Sequence, residues 1–181
     1  MTEFESVTTR GGDTGETSIA DGSRRPKDDL LIEVLGDVDE LQAALGLVKA
    51  ALEDIAEKDA VDWIQRCLLR NGGMLAVPLS HPARKKLDII GDEDVDTLEK
   101  WQKEAMDRVS MPRRFITYGG SEAGARADLA RAVCRRAERH LVGLIRTRGM
   151  RDLAPAQRFL NRLSDYLYVK AREWDAAAGE L

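Results

Sequence analysis

Several features are scarce in this sequence, and each scarcity argues against a class of protein. The only cysteines, Cys67 and Cys134, lie far apart without a CxxC motif, which argues against a disulfide-stabilised secreted domain. We expect two reduced, buried thiols. The two histidines, His81 and His140, have no potential ligands at metal-site spacing, so no protein-built metal site is expected.

Long apolar runs are also missing. No stretch approaches the roughly 20 apolar residues of a membrane-spanning helix, and the first ten residues, MTEFESVTTR, lack the basic start and apolar run of a signal peptide. We therefore expect a cytoplasmic protein without a membrane partner.

Aromatic residues make up only 5% of the 181 residues, so the core must consist mainly of Leu, Ala, Val and Ile, which favours helices packed on helices. The net charge of −4 and the pI near 5.4 give no general attraction to nucleic acid or an anionic membrane. Hydrophobic residues at 43% and charged residues at 33% are typical of a globular domain. This length suits a single domain with its own core.

Apolar residues recur every three or four positions in five segments, which predicts amphipathic helices. Asp28 and Asp29 suit the N-terminal end of the first helix, and Ser121 suits the N-cap of the fourth. We predict an all-α, five-helix bundle in one domain spanning residues 1–181, with a non-helical arm (1–27) and a bundle (28–178). The predicted helices cover about 28–52, 56–75, 91–106, 121–148 and 156–178.

The segment TTRGGDTGETSIADGSRRPKDD, residues 8–29, is rich in glycine and hydroxyl side chains. It contains neither the P-loop pattern GxxxxGK[ST] nor the dinucleotide pattern GxGxxG. Its backbone amides and hydroxyls are able to surround anionic oxygens as a nest. A flexible polar tail is the alternative, and composition does not decide between the two. The cations available as counter-charge are Arg10, Arg24, Arg25 and Lys27.

The predicted fourth helix contains RAVCRRAERHL, in which the fully charged cations are all arginine. Arginine suits bidentate contact with carboxylate or phosphate. Arg136 points to the side of the helix, and a plain solvated face is the alternative interpretation. The residues that share one strip, at spacings of four, three and four, are Arg131, Arg135, Glu138 and Arg139.

The predicted fifth helix contains FLNRLSDYLYVKARE, with leucines along one side. Asn161 is unfavourable within a helix and would be unsatisfied if buried without a partner. Two alternatives are an exposed polar stripe and a hydrogen bond between helices. The polar residues that share the other side are Asn161, Asp165, Tyr168 and Arg172.

Three long segments resemble the PduO-type ATP:cob(I)alamin adenosyltransferases over nearly the whole chain. The resemblance implies a five-helix bundle, usually a trimer with active sites between subunits. It implies ATP, Mg²⁺ and cob(I)alamin as reaction components, transfer of the 5′-deoxyadenosyl group to cobalt, release of triphosphate, and a possible transfer of product to an adenosylcobalamin-dependent enzyme. The segments are TTRGGDTGETSIADGSRRPKDD with GDVDELQAALG, RRFITYGGSEAGARADLARAVCRRAERHLVGL, and RFLNRLSDYLYVKAR.

The resemblance also implies roles for individual residues. Phe115 matches the aromatic that lies against the corrinoid in place of its lower ligand, and Asp39 with Arg131 matches a salt bridge across the subunit interface. Arg135, Phe115 and Glu138 are implied in catalysis, with Glu138 orienting the arginines or the metal shell. The implied ATP-binding residues are Thr9, Arg10, Gly11, Gly12, Thr17, Ser18, Lys27, Arg135, Arg136, Glu138, Arg139 and Asn161.

The sequence departs from this family in two places. Many members have YTRTGD or YTKTGD, whereas this chain has Thr8 for the tyrosine and Gly11 for a threonine, so any hydroxyl contact from position 11 is absent. The segment from Asn71 to Gly91 falls where the family varies.

Two rival functions remain to be compared with the adenosyltransferase. A non-catalytic corrinoid carrier or adaptor would keep Phe115 but would not need the arm or the arginine strip. An RNA-binding helical protein fits poorly with the acidic pI and the lack of interleaved aromatics, so no nucleic-acid partner is expected.

Overall fold

The computed structural model describes residues 8–180, in which a short β-hairpin precedes five long helices. The prediction of five helices is confirmed, and the helix ends agree with the periodicity to within about two residues. The first seven residues of the predicted arm lie outside the described part. In chain order the elements are β1 (Glu16–Ser18), β2 (Arg24–Pro26), α1 (Leu30–Ala51), α2 (Ile55–Ala76), α3 (Asp92–Met106), α4 (Glu122–Arg148) and α5 (Ala154–Ala177).

Side-chain caps explain where α1 and α4 begin. Asp29 Oδ1 accepts a hydrogen bond from the backbone N–H of Leu31 at 2.7 Å, and Ser121 Oγ accepts one from the backbone N–H of Gly124 at 2.9 Å. Each cap satisfies a donor that the first turn of a helix leaves free. Gly149 ends α4 with φ of 68°, a left-handed conformation that glycine adopts without strain.

The described part of the arm contains a hairpin that the sequence did not predict. Strand β1 pairs antiparallel with β2, and Thr17 lies opposite Arg25. The backbone N–H of Lys27 donates to the carbonyl of Gly15 at 2.9 Å, and Arg24 Nη2 donates to the carbonyl of Gly11 at 2.8 Å. These bonds hold the glycine-rich segment against the hairpin.

The core is almost entirely aliphatic, as the low aromatic content indicated. Helix α4 packs against both α1 and α5, while α3 packs on α5 and α2 on α1. Cys67 and Cys134 are buried free thiols, as predicted, and burial raises the pKa of the Cys67 thiol to about 12. Among the described residues, no helix is both long and apolar enough to cross a bilayer.

The segment between α2 and α3 is more ordered than its composition indicated. Asn71 belongs to α2 and is fully buried, so the loop predicted to begin at Asn71 begins only after Ala76. A 3₁₀-helix spans Pro82–Lys86. Arg84 donates to the carbonyl of Val77 at 3.1 Å and pairs with Asp152 before α5. The segment is therefore tied to the body of the bundle.

Candidate active site

The polar strips of α4 and α5 meet between these two helices. Asn161 Nδ2 on α5 donates to Glu138 Oε1 on α4 at 3.0 Å, and Arg162 donates to Asn161 Oδ1. Of the two alternatives for Asn161, the structure shows the hydrogen bond between helices. This bond fixes the amide and leaves the second oxygen of Glu138 without a hydrogen-bond partner among the described residues.

Arg135 and Arg139 lie beside this pair and are exposed. Within residues 8–180, neither guanidinium forms an ion pair with a carboxylate of its own chain. Their charge is therefore uncompensated by the bundle, and five N–H donors on each side chain are available to a ligand. An arrangement of this kind suits an anion with several oxygens, such as a polyphosphate.

Arg136 does not lie on the strip that contains Arg135 and Arg139, and its side chain is bonded to α1 instead. Its Nε donates to Asp37 Oδ1 on α1 at 2.8 Å, and Nη2 pairs with Glu40. The bond to Asp37 is the main reason that the pKa of the Arg136 guanidinium is raised. His140 Nδ1 lies 2.6 Å from the other oxygen of Asp37. The helical spacing had already pointed Arg136 sideways, and its contact with ATP stays a prediction.

Several residues that are predicted to contact the nucleotide lie close together at the glycine-rich end of the arm. A Cβ on Gly12 would lie 2.9 Å from Lys27 Nζ, so the ammonium lies close to the backbone of Gly12. Arg10 has φ of 56°, a conformation that is uncommon for residues other than glycine and is found at ligand-binding sites. Thr9 Oγ1 accepts a hydrogen bond from the backbone N–H of Gly11 at 3.4 Å.

Gly11 lacks the hydroxyl that the family pattern implies at this position, yet the backbone there has room for a side chain. A Cβ at Gly11 would meet Thr9 Oγ1 at 3.6 Å, an ordinary contact. The predicted residues Thr17 and Ser18 lie on β1, with Thr17 half-buried and Ser18 exposed. The departure at position 11 therefore removes one hydroxyl without a steric need to reshape the arm.

Within one chain the C-terminal end of the arm lies well away from the arginine strip. Asp29, two residues after the end of the arm, pairs with Arg148 at the end of α4 at 2.9 Å. Residues 135 to 148 of an α-helix correspond to about 20 Å along its axis. No hydrogen bond or ion pair joins residues 8–27 to Arg135, Arg139 or Asn161 in the part of the chain that is described.

The predicted interface pair is also separate within the chain. Asp39 is exposed on α1. Arg131 bonds to Asp128 on its own helix at 3.3 Å and donates to the hydroxyl of Tyr118 at 2.9 Å. A pairing of Asp39 with Arg131 across subunits stays a prediction.

Phe115 lies on the connector between α3 and α4, residues 107–121, and is fully exposed. It borders a cleft of about 490 Å³ that Arg114, Tyr118 and Arg172 also line. Its position at the edge of a cleft, rather than its exposure alone, makes the ring a candidate for contact with a ligand.

Arg172 departs from what the sequence indicated. It shares the predicted polar side of α5, but its side chain is fully buried and its Nη2 bonds to Asp128 and Asp175. Burial acts to lower the pKa of the guanidinium, but the bonds to the two carboxylates outweigh it, so the pKa is raised. The exposed-stripe interpretation is wrong at this residue, because Asp128 on another helix supplies a partner that spacing along α5 does not reveal.

Residues 7–174 match the family described as cobalamin adenosyltransferase. The chain belongs to this family. It is 40% identical over 177 residues to the cobalamin adenosyltransferase of Cupriavidus metallidurans, covering 96% of this chain and 90% of the relative. It is 38% identical over 173 residues to the human corrinoid adenosyltransferase MMAB, covering 92% and 67%.

Solved structures support the same assignment of this cobalamin adenosyltransferase family member. A variant of the PduO-type ATP:corrinoid adenosyltransferase from Lactobacillus reuteri, complexed with cobalamin and ATP, has a TM-score of 0.88 at 27% identity, covering 97% of this chain and 96% of that one. Another variant from the same organism, complexed with ATP, has a TM-score of 0.82 at 29% identity, covering 93% of each chain. The resemblance to the PduO type is confirmed.

Proposed function

We propose that this family member transfers the 5′-deoxyadenosyl group of ATP to the cobalt of a reduced corrinoid, cob(I)alamin, forming adenosylcobalamin and releasing triphosphate. The main structural support is the pair of exposed arginines, Arg135 and Arg139, without carboxylate partners among the described residues, beside the bonded pair Glu138 and Asn161. A relative of nearly the same fold is complexed with cobalamin and ATP.

The chemistry makes few demands for reactive side chains. Co(I) attacks C5′ of ATP, the cobalt–carbon bond forms, and the C5′–O bond breaks with its electron pair leaving on triphosphate. Because the substrate cobalt is itself the nucleophile, no Ser, Cys or His needs to be activated. The buried thiols Cys67 and Cys134 therefore take no part in the reaction.

The protein contributes position and charge. Alignment of C5′ with cobalt supplies the entropic part of the rate enhancement. Arg135 and Arg139 stabilise the negative charge that develops on the leaving triphosphate, and Lys27 with the amides of residues 9–12 closes over the phosphates.

Mg²⁺ is the metal that the family resemblance implies. It prefers oxygen ligands and is usually held by one or two carboxylates together with substrate phosphates. Glu138 fits this requirement, because one oxygen is fixed by Asn161 and the other has no hydrogen-bond partner in residues 8–180. The ion would neutralise phosphate charge, and Glu138 would hold it or orient the neighbouring arginines. The reaction requires no proton to be removed, so Glu138 has no role as a base.

The arrangement of the chain favours a homotrimer with sites between subunits. Asp29, just after the arm, lies about 20 Å along α4 from Arg135, which favours closure over the strip by the arm of a second copy. Apolar side chains exposed on α1 and α4, including Leu47 and Leu129, suit such an interface. The free thiols favour a cytoplasmic location, where the product would pass to an adenosylcobalamin-dependent enzyme.

Turnover with ATP, Mg²⁺ and chemically reduced cob(I)alamin tests the function. We expect the corrinoid spectrum to change to that of an alkylated cobalamin as triphosphate appears. A non-catalytic carrier would bind the corrinoid and leave ATP intact, so corrinoid binding without triphosphate release would contradict the proposal. Heat-inactivated protein in the same mixture is the control for the uncatalysed reaction.

Deleting residues 1–18 is expected to weaken ATP binding by about tenfold or more, since each bond to a charged phosphate contributes ~1.5–3 kcal/mol. Isothermal titration calorimetry with ATP measures the change. The bundle should keep its melting temperature, because residues 9–18 contribute no fully buried side chain. Unchanged ATP affinity would show that the arm is only a tail.

A further inference from the structure

A cluster of buried charges links the end of α5 to the start of α4. Arg172 is 0% exposed, and its Nη2 bonds to Asp128 on α4 and to Asp175 Oδ2 on α5. Both carboxylates are 4% exposed. Burying ions costs several kcal/mol each before pairing, and apolar residues of similar volume are often as stable. Stability of the bundle alone therefore does not account for this cluster.

Asp175 extends the cluster to the connector. Its second oxygen, Oδ1, accepts hydrogen bonds from the backbone N–H and the hydroxyl of Ser121, at 2.8 and 2.9 Å. Ser121 is the N-cap of α4 and the last residue of the connector. The charge of Arg172 thus orients a carboxylate whose other oxygen fixes the end of the segment that carries Phe115.

Tyr118 is held by the same cluster. The guanidinium carbon of Arg172 lies 5.9 Å from the centre of the Tyr118 ring, and that of Arg131 lies 5.3 Å from it. These are cation–π distances. Nε and Nη1 of Arg172 have no hydrogen-bond partner among the described residues, and the rings of Tyr118 and Tyr168 are their aromatic neighbours. Tyr118 stands three residues after Phe115, and both line the cleft that Arg172 lines.

We propose that Arg172 is a positioning residue for the adenosyl transfer. Paired with Asp128 and Asp175, it holds Tyr118 and Ser121 so that the connector presents the Phe115 ring at one fixed place in the corrinoid cleft. The proposal rests on the proposed function. It gives the buried cluster the task of positioning the connector, although no residue of the cluster takes part in the bond changes of the reaction.

Two glycines, one in the connector and one in the first turn of α4, show how closely Asp175 approaches both segments. A Cβ at Gly124 would overlap the carboxylate of Asp175, with Cγ at 2.8 Å, and a Cβ at Gly120 would lie 3.0 Å from the same Cγ. The same Cβ would lie 2.8 Å from Ser121 Oγ, so alanine at Gly124 acts as a wedge that displaces both Asp175 and the Ser121 hydroxyl it holds, while Phe115 is not among the groups it meets. Gly143 is also inside α4, but its Cβ would meet only Leu30 at 3.8 Å, so Gly143→Ala is the matched control.

The test compares Gly124→Ala, Asp175→Asn and Gly143→Ala in the full chain with cobalamin and ATP. Asp175→Asn keeps the side-chain volume and the bonds to Ser121 but loses the charge that pairs with Arg172, so it decides the question if Gly124→Ala does not fold. We expect both to slow turnover from cob(II)alamin, reduced in the site by an added one-electron donor, by about tenfold or more, because small misplacements have effects of this order. The KM for the corrinoid should rise, while the KM for ATP stays within about twofold of wild type.

A spectroscopic measurement separates positioning from folding. Electron paramagnetic resonance of bound cob(II)alamin reports the fraction whose lower ligand is displaced, and this fraction should fall in both variants and stay normal in Gly143→Ala. The proposal would be overturned if both variants showed a normal fraction of ligand-displaced cob(II)alamin and normal corrinoid kinetics. It would also be overturned if the kinetics with ATP and with corrinoid were impaired equally and the melting temperature was lowered. An inactive wild-type chain with cob(I)alamin would overturn the proposed function instead, while the spectra of the variants would still decide the positioning role.

Discussion

Replacing Arg135 with alanine is expected to lower kcat by about two to three orders of magnitude and to leave the bundle folded. Removal of one preorganised donor for developing charge has effects of this size. Arg135 is exposed and forms no ion pair with its own chain in residues 8–180, so the bundle loses little when it is removed. Steady-state kinetics with chemically reduced cob(I)alamin and a melting curve measure the two effects.

The division between kcat and KM shows which state Arg135 stabilises. Charge accumulates on triphosphate as the C5′–O bond breaks, so kcat should fall more than the KM for ATP rises. Arg146→Ala is the matched control, because Arg146 is also exposed on the same face of α4 but lies about 16 Å along the axis from Arg135. Near-normal turnover by Arg135→Ala, or an equal loss in Arg146→Ala, would falsify the phosphate role.

The helices were predictable because each one carries its own signal. Apolar periodicity located α1 to α5, and residue type alone placed the start of α1 at Asp28 and Asp29 and the N-cap of α4 at Ser121. The hairpin was not found, because its strands have three residues each, ETS and RRP, without apolar alternation. Their pairing depends on contacts such as that of Arg24 with the carbonyl of Gly11, which are distant in sequence.

The site was predictable only where spacing along one helix decides the geometry. Glu138 was placed on the α4 strip by its spacing and Asn161 on the polar side of α5, and the structure joins them. Arg172 shared the side of Asn161 and was nevertheless buried, because Asp128 on α4 supplies its partner. Arg136 was assigned to ATP by resemblance, although Asp37 and Glu40 occupy its guanidinium in this chain. Partners on other helices carry no signal in a single sequence.

Phe115→Ala is expected to lower turnover from cob(II)alamin by up to about a hundredfold, since covering a phenylalanine side chain contributes ~1.5–3 kcal/mol. The Phe115 ring is fully exposed in the chain, so in the proposed role it is the bound corrinoid that removes the ring from water. In the proposed role the ring occupies the place of the corrinoid's lower ligand, and loss of that ligand makes Co(II) reducible by a one-electron donor added to the assay. Turnover from chemically reduced cob(I)alamin should stay within about threefold of wild type, because that cobalt needs no further reduction.

The two assays together separate the role of Phe115 from general binding. Leu79→Ala is the control, because Leu79 is another large apolar side chain that is exposed on an irregular segment, outside the cleft of Phe115. It should be normal in both assays. Equal losses from cob(I)alamin and cob(II)alamin in Phe115→Ala would show that the ring only binds the corrinoid. A loss confined to cob(II)alamin would place Phe115 in the step that prepares the cobalt, the step for which the Arg172 cluster is proposed to position it.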